Sequence, residues 1–363
     1  MKIACTADWH VHAFQEFSKK ILVSWNPQIM RFVSDLQGKE INSRLFNILD
    51  GICDIRDFCL NAKIKYVLNA GDIFHKRGVI QVEAFNALSR VLQSFKESGL
   101  NLIMISGNHD QVDSSSIPET SIHTLSKYST VIESPKIITL EGLNVVCIPF
   151  SNNRDFILFQ IKQCMDSFNK EELRKSILLA HLGVTGSQVG SGSFFINDEF
   201  KLTDLCYDKF QYVILGHYHR PQLLAHNTLY CGSPVQNNFS DELPSDESGG
   251  YNGFFIIDSD QNWDIQFIPI RKPRFRTVSS QDEVDSEIDF FRLKAKSVES
   301  IPEDSIKENV RVEVEKSYES VSRSSIDITD SFESAVTKYA LEHNQPPEVI
   351  NLGLQILNQA RKE

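Results

Sequence analysis

Five short stretches carry residue types suited to holding metal ions: Asp8-Trp9-His10, Gly71-Asp72, Gly107-Asn108-His109-Asp110, His181 and Gly216-His217-Tyr218-His219. Carboxylates and an amide oxygen mixed with neutral imidazoles suit Mn, Fe or Zn, whereas an all-oxygen set would point to Mg or Ca. A single aspartate bridging two ions holds them roughly 3.5–4 Å apart, a spacing that can clamp both the attacking and the leaving oxygen of a phosphoryl displacement. Asp72 is the candidate bridge. Two ions would also lower the pKa of a water, so no serine or cysteine nucleophile is required. His109, next to the ligand candidate Asn108, is then left to stabilise or protonate the departing oxygen, with Asp110 expected to orient its ring.

Taken singly, each stretch has an ordinary structural reading, since Gly-Asp and Asp-x-His both serve turns. The weight lies in the set, because each stretch follows an apolar run and ligands in α/β folds gather beyond the carboxyl ends of strands. The remaining histidines are read differently. His12, His123, His226 and His343 are expected as surface or capping residues, and His75 stands between the two groups.

The elements that must place these residues can be read in order. Residues 2 to 6 form a first strand. From Asn42, an expected N-cap, Leu45, Ile48, Leu49, Ile52, Ile55 and Cys59 recur at helical spacing. Strands follow at 66 to 68 and 102 to 105, with an amphipathic helix at 83 to 97 between them. Further strands are expected at 137 to 140, 145 to 148 and 177 to 179, and a closing hairpin at 254 to 257 and 265 to 268. Residues 13 to 40 read as an insertion near the mouth of the site. An acidic, Gly-rich loop is expected from 241 to 250.

Composition shifts at the basic cluster 271 to 276, where a domain edge is placed. A helix around 284 to 292 and a strand at 309 to 315 would make a small appended α/β layer. The expected division is therefore a main domain over 1 to 270, the appended layer over 271 to 316, a linker over 317 to 329 and a helical hairpin over 330 to 363. Asp330-Ser331 can cap the first hairpin helix, and Gln345-Pro346-Pro347 ends it and starts the second.

The 363 residues are 41% hydrophobic and 23% charged, ordinary for a soluble globular protein. With no apolar run of about 18 residues and a motif close behind Met1, neither a membrane span nor a signal peptide is expected, and a cytoplasmic location is. Seven cysteines without a CxxC pair suit buried reduced thiols. The net charge of -11 argues by itself against nucleic acid, although local charge and metals can override it.

On the five motifs, residues 1 to about 270 resemble the calcineurin-like metallophosphoesterases. Gly71-Asp72 extends within that match to Ile73-Phe74-His75, and Gly232-Ser233-Pro234 further resembles the SbcD type of DNA double-strand-break repair nuclease, in a compact, phage-like version. That resemblance implies a four-layer sandwich of two mixed β-sheets flanked by helices. It also implies one ion on Asp8, His10, Asp72 and His219 and another on Asp72, Asn108, His181 and His217, with His109 and His75 as catalytic histidines. Manganese is the metal implied, with Fe, Zn or Mg as alternatives. DNA would be the substrate of an exonuclease or endonuclease subunit in repair or recombination. An SbcC-type coiled-coil ATPase would dock on the C-terminal helices, and a homodimer is a further option. Two rival readings remain: a phosphatase or cyclic-nucleotide phosphodiesterase of the same superfamily, and a non-catalytic scaffold. The protein-phosphatase branch usually has an aspartate where this chain has His75.

Overall fold

The computed structural model describes residues 1–22, 40–113, 118–190, 194–195, 199–245, 248–296, 307–314, 325–327 and 329–360. Two six-stranded mixed sheets dominate it. Across the first, the order is Asp264–Pro269, Gly253–Asp258, Lys2–Thr6, Tyr66–Asn69, Asn101–Ile105 and Thr130–Ile132. Lys2–Thr6, Tyr66–Asn69 and Asn101–Ile105 run parallel, while Gly253–Asp258 and Asp264–Pro269 form the expected antiparallel hairpin. Across the second, the order is Gln222–Ala225, Thr228–Tyr230, Tyr212–Gly216, Ile177–His181, Leu143–Ile148 and Lys136–Leu140.

Alternation along the strands explains the layering, because successive side chains point to opposite faces of a sheet. Ile3, Cys5, Leu68, Ile103 and Ile105 meet Val145, Cys147, Ile177, Leu179 and Ile214 in a core between the two sheets. Ala4, Val67, Leu102 and Met104 face the other way, onto the helices Ser43–Asn61 and Val82–Glu97. On the far side of the second sheet, Val146, Ile148, Leu178, Ala180 and Val213 pack with Ile157 and Ile161 of the helix Arg154–Asp166. The result is the four-layer α/β sandwich. Strands covered on both faces are why these segments read as unbroken apolar runs.

Asn42 caps the first long helix, its side chain accepting from the N–H groups of Arg44 and Leu45. Of the stretch read as an insertion, Lys20–Leu22 pairs antiparallel with Glu40–Asn42, and residues 23–39 lie outside the described residues. All seven cysteines are free thiols and six are buried. No described helix is long and apolar enough to cross a membrane.

The helix expected at 284 to 292 does not form. Among the described residues the appended layer is a three-stranded sheet of Phe275–Val278, Phe290–Ala295 and Val310–Val314. Val284, Ile288 and Phe291 have helical spacing, but Ile288 is 66% exposed. Tertiary packing decides instead: Phe290 joins Phe275, Phe239 and Phe17, while Phe291 and Leu293 join Val278 and Val310. Arg44, buried, spreads its guanidinium over the rings of Phe275 and Phe290 at 4.7 and 5.1 Å.

The chain divides into two compact units, Met1–Glu313 and Val314–Glu363. In the second unit, Ser331 caps Phe332–Glu342 by accepting from the Ser334 N–H, and Pro347–Ala360 follows as the second helix. Part of the linker expected at 317 to 329, namely 317–324 and 328, lies outside the described residues.

Candidate metal centre

Each predicted ligand stands at or just beyond a strand's carboxyl end. Asp8 follows Lys2–Thr6, Asp72 follows Tyr66–Asn69, Asn108 follows Asn101–Ile105, His181 ends its strand and His217 follows Tyr212–Gly216. The turns are tight. Asp8, His10, Asp72 and His217 have φ values of 52°, 46°, 56° and 110°, left-handed backbone that costs a non-glycine residue about 1–3 kcal/mol. Backbone hydrogen bonds between neighbouring loops hold it there: Asp8 N–H to Gly71 O at 2.9 Å, His10 N–H to Asp72 O at 3.0 Å and Val11 N–H to Ile73 O at 2.8 Å. Gly107 is required by proximity, since a Cβ there would lie 2.1 Å from Asp72 Oδ1.

The side chains converge as two sets that share Asp72. On one side, His10 Nε2 lies 2.9 Å from His219 Nε2 and 3.6 Å from Asp72 Oδ2, and ligand atoms of Asp8, His10 and His219 lie within 4.8 Å of one another. On the other, His181 Nε2 is 3.5 Å from Asp72 Oδ2 and 3.0 Å from Asn108 Oδ1, which is also 3.0 Å from His217 Nδ1. The loops brace each other: His217 N–H donates to Asp8 Oδ1 at 3.0 Å and His109 N–H to Asp72 Oδ1 at 2.8 Å.

A divalent ion fits this arrangement. His181 Nδ1 donates to the Ala70 carbonyl at 2.7 Å, leaving a lone pair on Nε2 that faces another acceptor, Asn108 Oδ1. Protonating the ring would relieve this, but burial and neighbouring imidazoles hold His181 down to about 3. His217 is likewise held at about 3 by burial, and His10 is pushed well below its ordinary value by burial and by His219. Neutral imidazole is the ligand form. Burial conversely raises the carboxyls of Asp8 and Asp72, which is how anions behave when removed from water without a compensating cation.

His109 lies beside both sets. Its Nδ1 donates to the His75 carbonyl at 2.5 Å, its ring stacks on His75 at 5.7 Å with 20° between planes, and it meets His10 edge-on at 4.8 Å. The expected role of Asp110 is corrected. Its buried carboxylate does not touch the His109 ring but accepts from the N–H groups of Ile73, Phe74 and Gly107, each at 3.0 Å. It locks the Gly71 and Gly107 loops together, which a short carboxylate at a loop base does better than reaching a ring that already has a carbonyl partner. Burial and the nearby charge of Asp72 raise Asp110 to about 7.

His12 is also corrected. Expected as a surface or capping residue, it is buried, with its ring against Phe14 and His75 at 5.0 and 5.1 Å. His123 and His226 are exposed, as read, and so is His343, stacked on Tyr339. His75 is half-buried and held at about 4 by burial and by His12. The sequence reading missed Asp241, placed there at the start of an acidic, Gly-rich loop. It is buried and accepts from His219 Nδ1 at 2.8 Å. An aspartate soon after Gly232-Ser233-Pro234 was the only signal, and Asp246, five positions later in the sequence, carries a similar one.

A sequence profile described as calcineurin-like phosphoesterase matches residues 1–221. Exonuclease subunit 1 of Enterobacteria phage T4 is 25% identical over 228 residues, which cover 61% of this chain and 60% of that relative. The chain thus spans less than two thirds of that relative's length. Among solved structures, a dimetal phosphatase from Danio rerio is 10% identical with a TM-score of 0.37, covering 71% of this chain and 92% of the other. Yfce, a phosphoesterase from E. coli, is 11% identical with a TM-score of 0.32, covering 75% and 100%. Likenesses of that extent say nothing about substrate.

Proposed function

The chain belongs to the calcineurin-like phosphoesterases, and from that premise we propose that it is a two-metal phosphodiesterase acting on DNA, the nuclease subunit of an SbcCD-type repair or recombination assembly. The observation that carries phosphodiester chemistry is the meeting of two donor sets at Asp72 with His109 alongside. Asp8, His10, Asp72 and His219 would hold one ion, and Asp72, Asn108, His181 and His217 the other. Divalent ions so held polarise a phosphoryl oxygen and lower the pKa of water, and Mn suits the mixed oxygen and nitrogen donors.

The chain's own residues supply the rest. With Nδ1 committed to the His75 carbonyl, His109 presents Nε2 as the nitrogen that can pass a proton to the departing oxygen. His75 stacks on that ring and fixes its plane. Asp110, through three backbone N–H groups, keeps the Asp72 and Asn108 loops in register. The full donor set speaks against a non-catalytic scaffold.

DNA as substrate is supported by the likeness to a phage exonuclease subunit and by His75 in place of the aspartate usual in protein phosphatases. Docking of an SbcC-type ATPase on residues 330 to 363 is supported by the apolar side chains this unit exposes, among them Phe332, Leu352 and Ile356. The deciding assay offers purified protein and Mn²⁺ with duplex DNA, single-stranded DNA, bis(p-nitrophenyl) phosphate and p-nitrophenyl phosphate. DNA and the diester should be cut and the monoester spared. Turnover of the monoester alone would make the protein a phosphatase.

A further inference from the structure

The imidazoles of the metal centre differ in what holds their second nitrogen. His181 has a backbone carbonyl, Ala70 O. His10 Nδ1 is buried without a partner among the described residues. Among the described residues His219 alone has a carboxylate, Asp241 Oδ1 at 2.8 Å, and that acid is itself only 4% exposed in its side chain. A carboxylate oxygen can only accept, so a ring proton sits on Nδ1, and Nε2, 2.9 Å from His10 Nε2, is the nitrogen left to face an ion.

The support around this pair is extensive. Asp241 Oδ2 accepts from the Asn237 N–H at 2.8 Å, and Arg44 donates to the Asn237 carbonyl at 2.6 Å. The His219 carbonyl accepts from the Ser233 N–H at 3.0 Å and from Asn252 Nδ2 at 3.1 Å. Ring and backbone of this one ligand are thus fixed from two directions. An acid needed only to shape the loop would use the Asn237 contact and not the ring.

We propose that Asp241 is the positioning residue for His219: it sets the ring's tautomer and orientation and strengthens Nε2 as a donor to the ion shared with Asp8, His10 and Asp72. This rests on the reading that those residues hold an ion. Carboxylate partners of ligating imidazoles act in this way, and their loss typically weakens metal binding about 10–100-fold.

The test is Mn²⁺ binding to the full chain, followed by electron paramagnetic resonance and calorimetry, for wild type, His219→Ala, Asp241→Ala and Asp241→Asn. Asp241→Asn keeps an oxygen for the Asn237 N–H, so it carries the test should Asp241→Ala fail to fold, and thermal melting monitors both. The expected result is two sites in wild type, one lost in His219→Ala, and that same site weakened about 10–100-fold in the Asp241 variants with the other unchanged. Asp241→Asn that melts lower yet binds both ions as wild type does would reduce Asp241 to a loop-shaping role and overturn the proposal. His219→Ala retaining both ions at wild-type affinity would instead refute the ligand assignment, and the proposal with it.

Discussion

At the metal centre, side chains that water ordinarily keeps are buried; in the C-terminal unit, side chains that water ordinarily expels are exposed. Asp8, Asp72 and His181 are at most 2% exposed, each held by backbone groups from neighbouring strand ends. In the hairpin helices only Ala340 is buried, while Phe332 is 69% and Ile356 57% exposed. The first region gathers buried carboxylates and imidazole nitrogens that a cation would satisfy. The second keeps uncovered apolar surface, which another surface can satisfy. Damage to the first should therefore change chemistry within an intact fold, and damage to the second should change association and leave chemistry alone.

The sharpest break is expected from Asp72→Asn. Losing the shared carboxylate should remove metal occupancy together with several kcal/mol of transition-state stabilisation, about 10³-fold in rate. Metal analysis and a nuclease assay at limiting Mn²⁺ check this, and full activity would end the two-metal reading. Next comes His109→Asn, which should retain both ions and still bind DNA yet turn over at least ~10²-fold more slowly. One missing ion in that variant would move His109 into the ligand set.

Stability without metal offers a third test. Against the pull of burial, the charges of Asp241, Asp8 and Asp72 carry His219 to about 9, and burial raises Asp110 to about 7. Both groups bind protons more tightly folded than unfolded, so the stability they contribute is complete below their unfolded pKa values and is lost as pH rises through the folded ones. The depressed histidines oppose this only below their ordinary value of 6.5. Chelated protein should therefore lose Tm between pH 6.5 and 9, and Mn²⁺ should flatten the slope. A chelated Tm that climbs over that range would mean that the centre is not an under-compensated cluster. The smallest effect on catalysis belongs to the hairpin: a chain ending at Ser325 should cleave simple substrates like the full chain but no longer co-purify with an SbcC-type ATPase. Unchanged association would remove the hairpin from that role.

Much of this was legible because the signals are local. An apolar run followed by Asp-x-His or Gly-Asn-His-Asp places a polar group at a strand end in any α/β fold, and so Asp8, Asp72, Asn108 and His217 can be located from the sequence. Asn42 and Ser331 as caps were readable for the same reason, since a cap is defined within three residues. The segment from 284 to 292 misled because Val284, Ile288 and Phe291 obey helical spacing. The aromatic cluster that makes Phe290–Ala295 a strand draws on Phe17, Phe239 and Phe275, each distant in sequence.

What the amino-acid order determined by itself was the inventory of the centre: which oxygen and nitrogen donors exist, in what sequence, and that each leaves a strand. Partnership was decided by tertiary structure alone. Asp110 stands next to His109 in the chain but serves the backbone of Ile73, Phe74 and Gly107, whereas Asp241, 22 residues beyond His219, holds that ligand's ring. A hydrogen bond depends on direction and distance in space, and neighbours along a tight turn can point apart while a distant loop folds back within 2.8 Å. Left-handed backbone at Asp8, His10 and Asp72 belongs to the same class of fact, because hydrogen bonds from a loop distant in sequence hold these residues in that conformation.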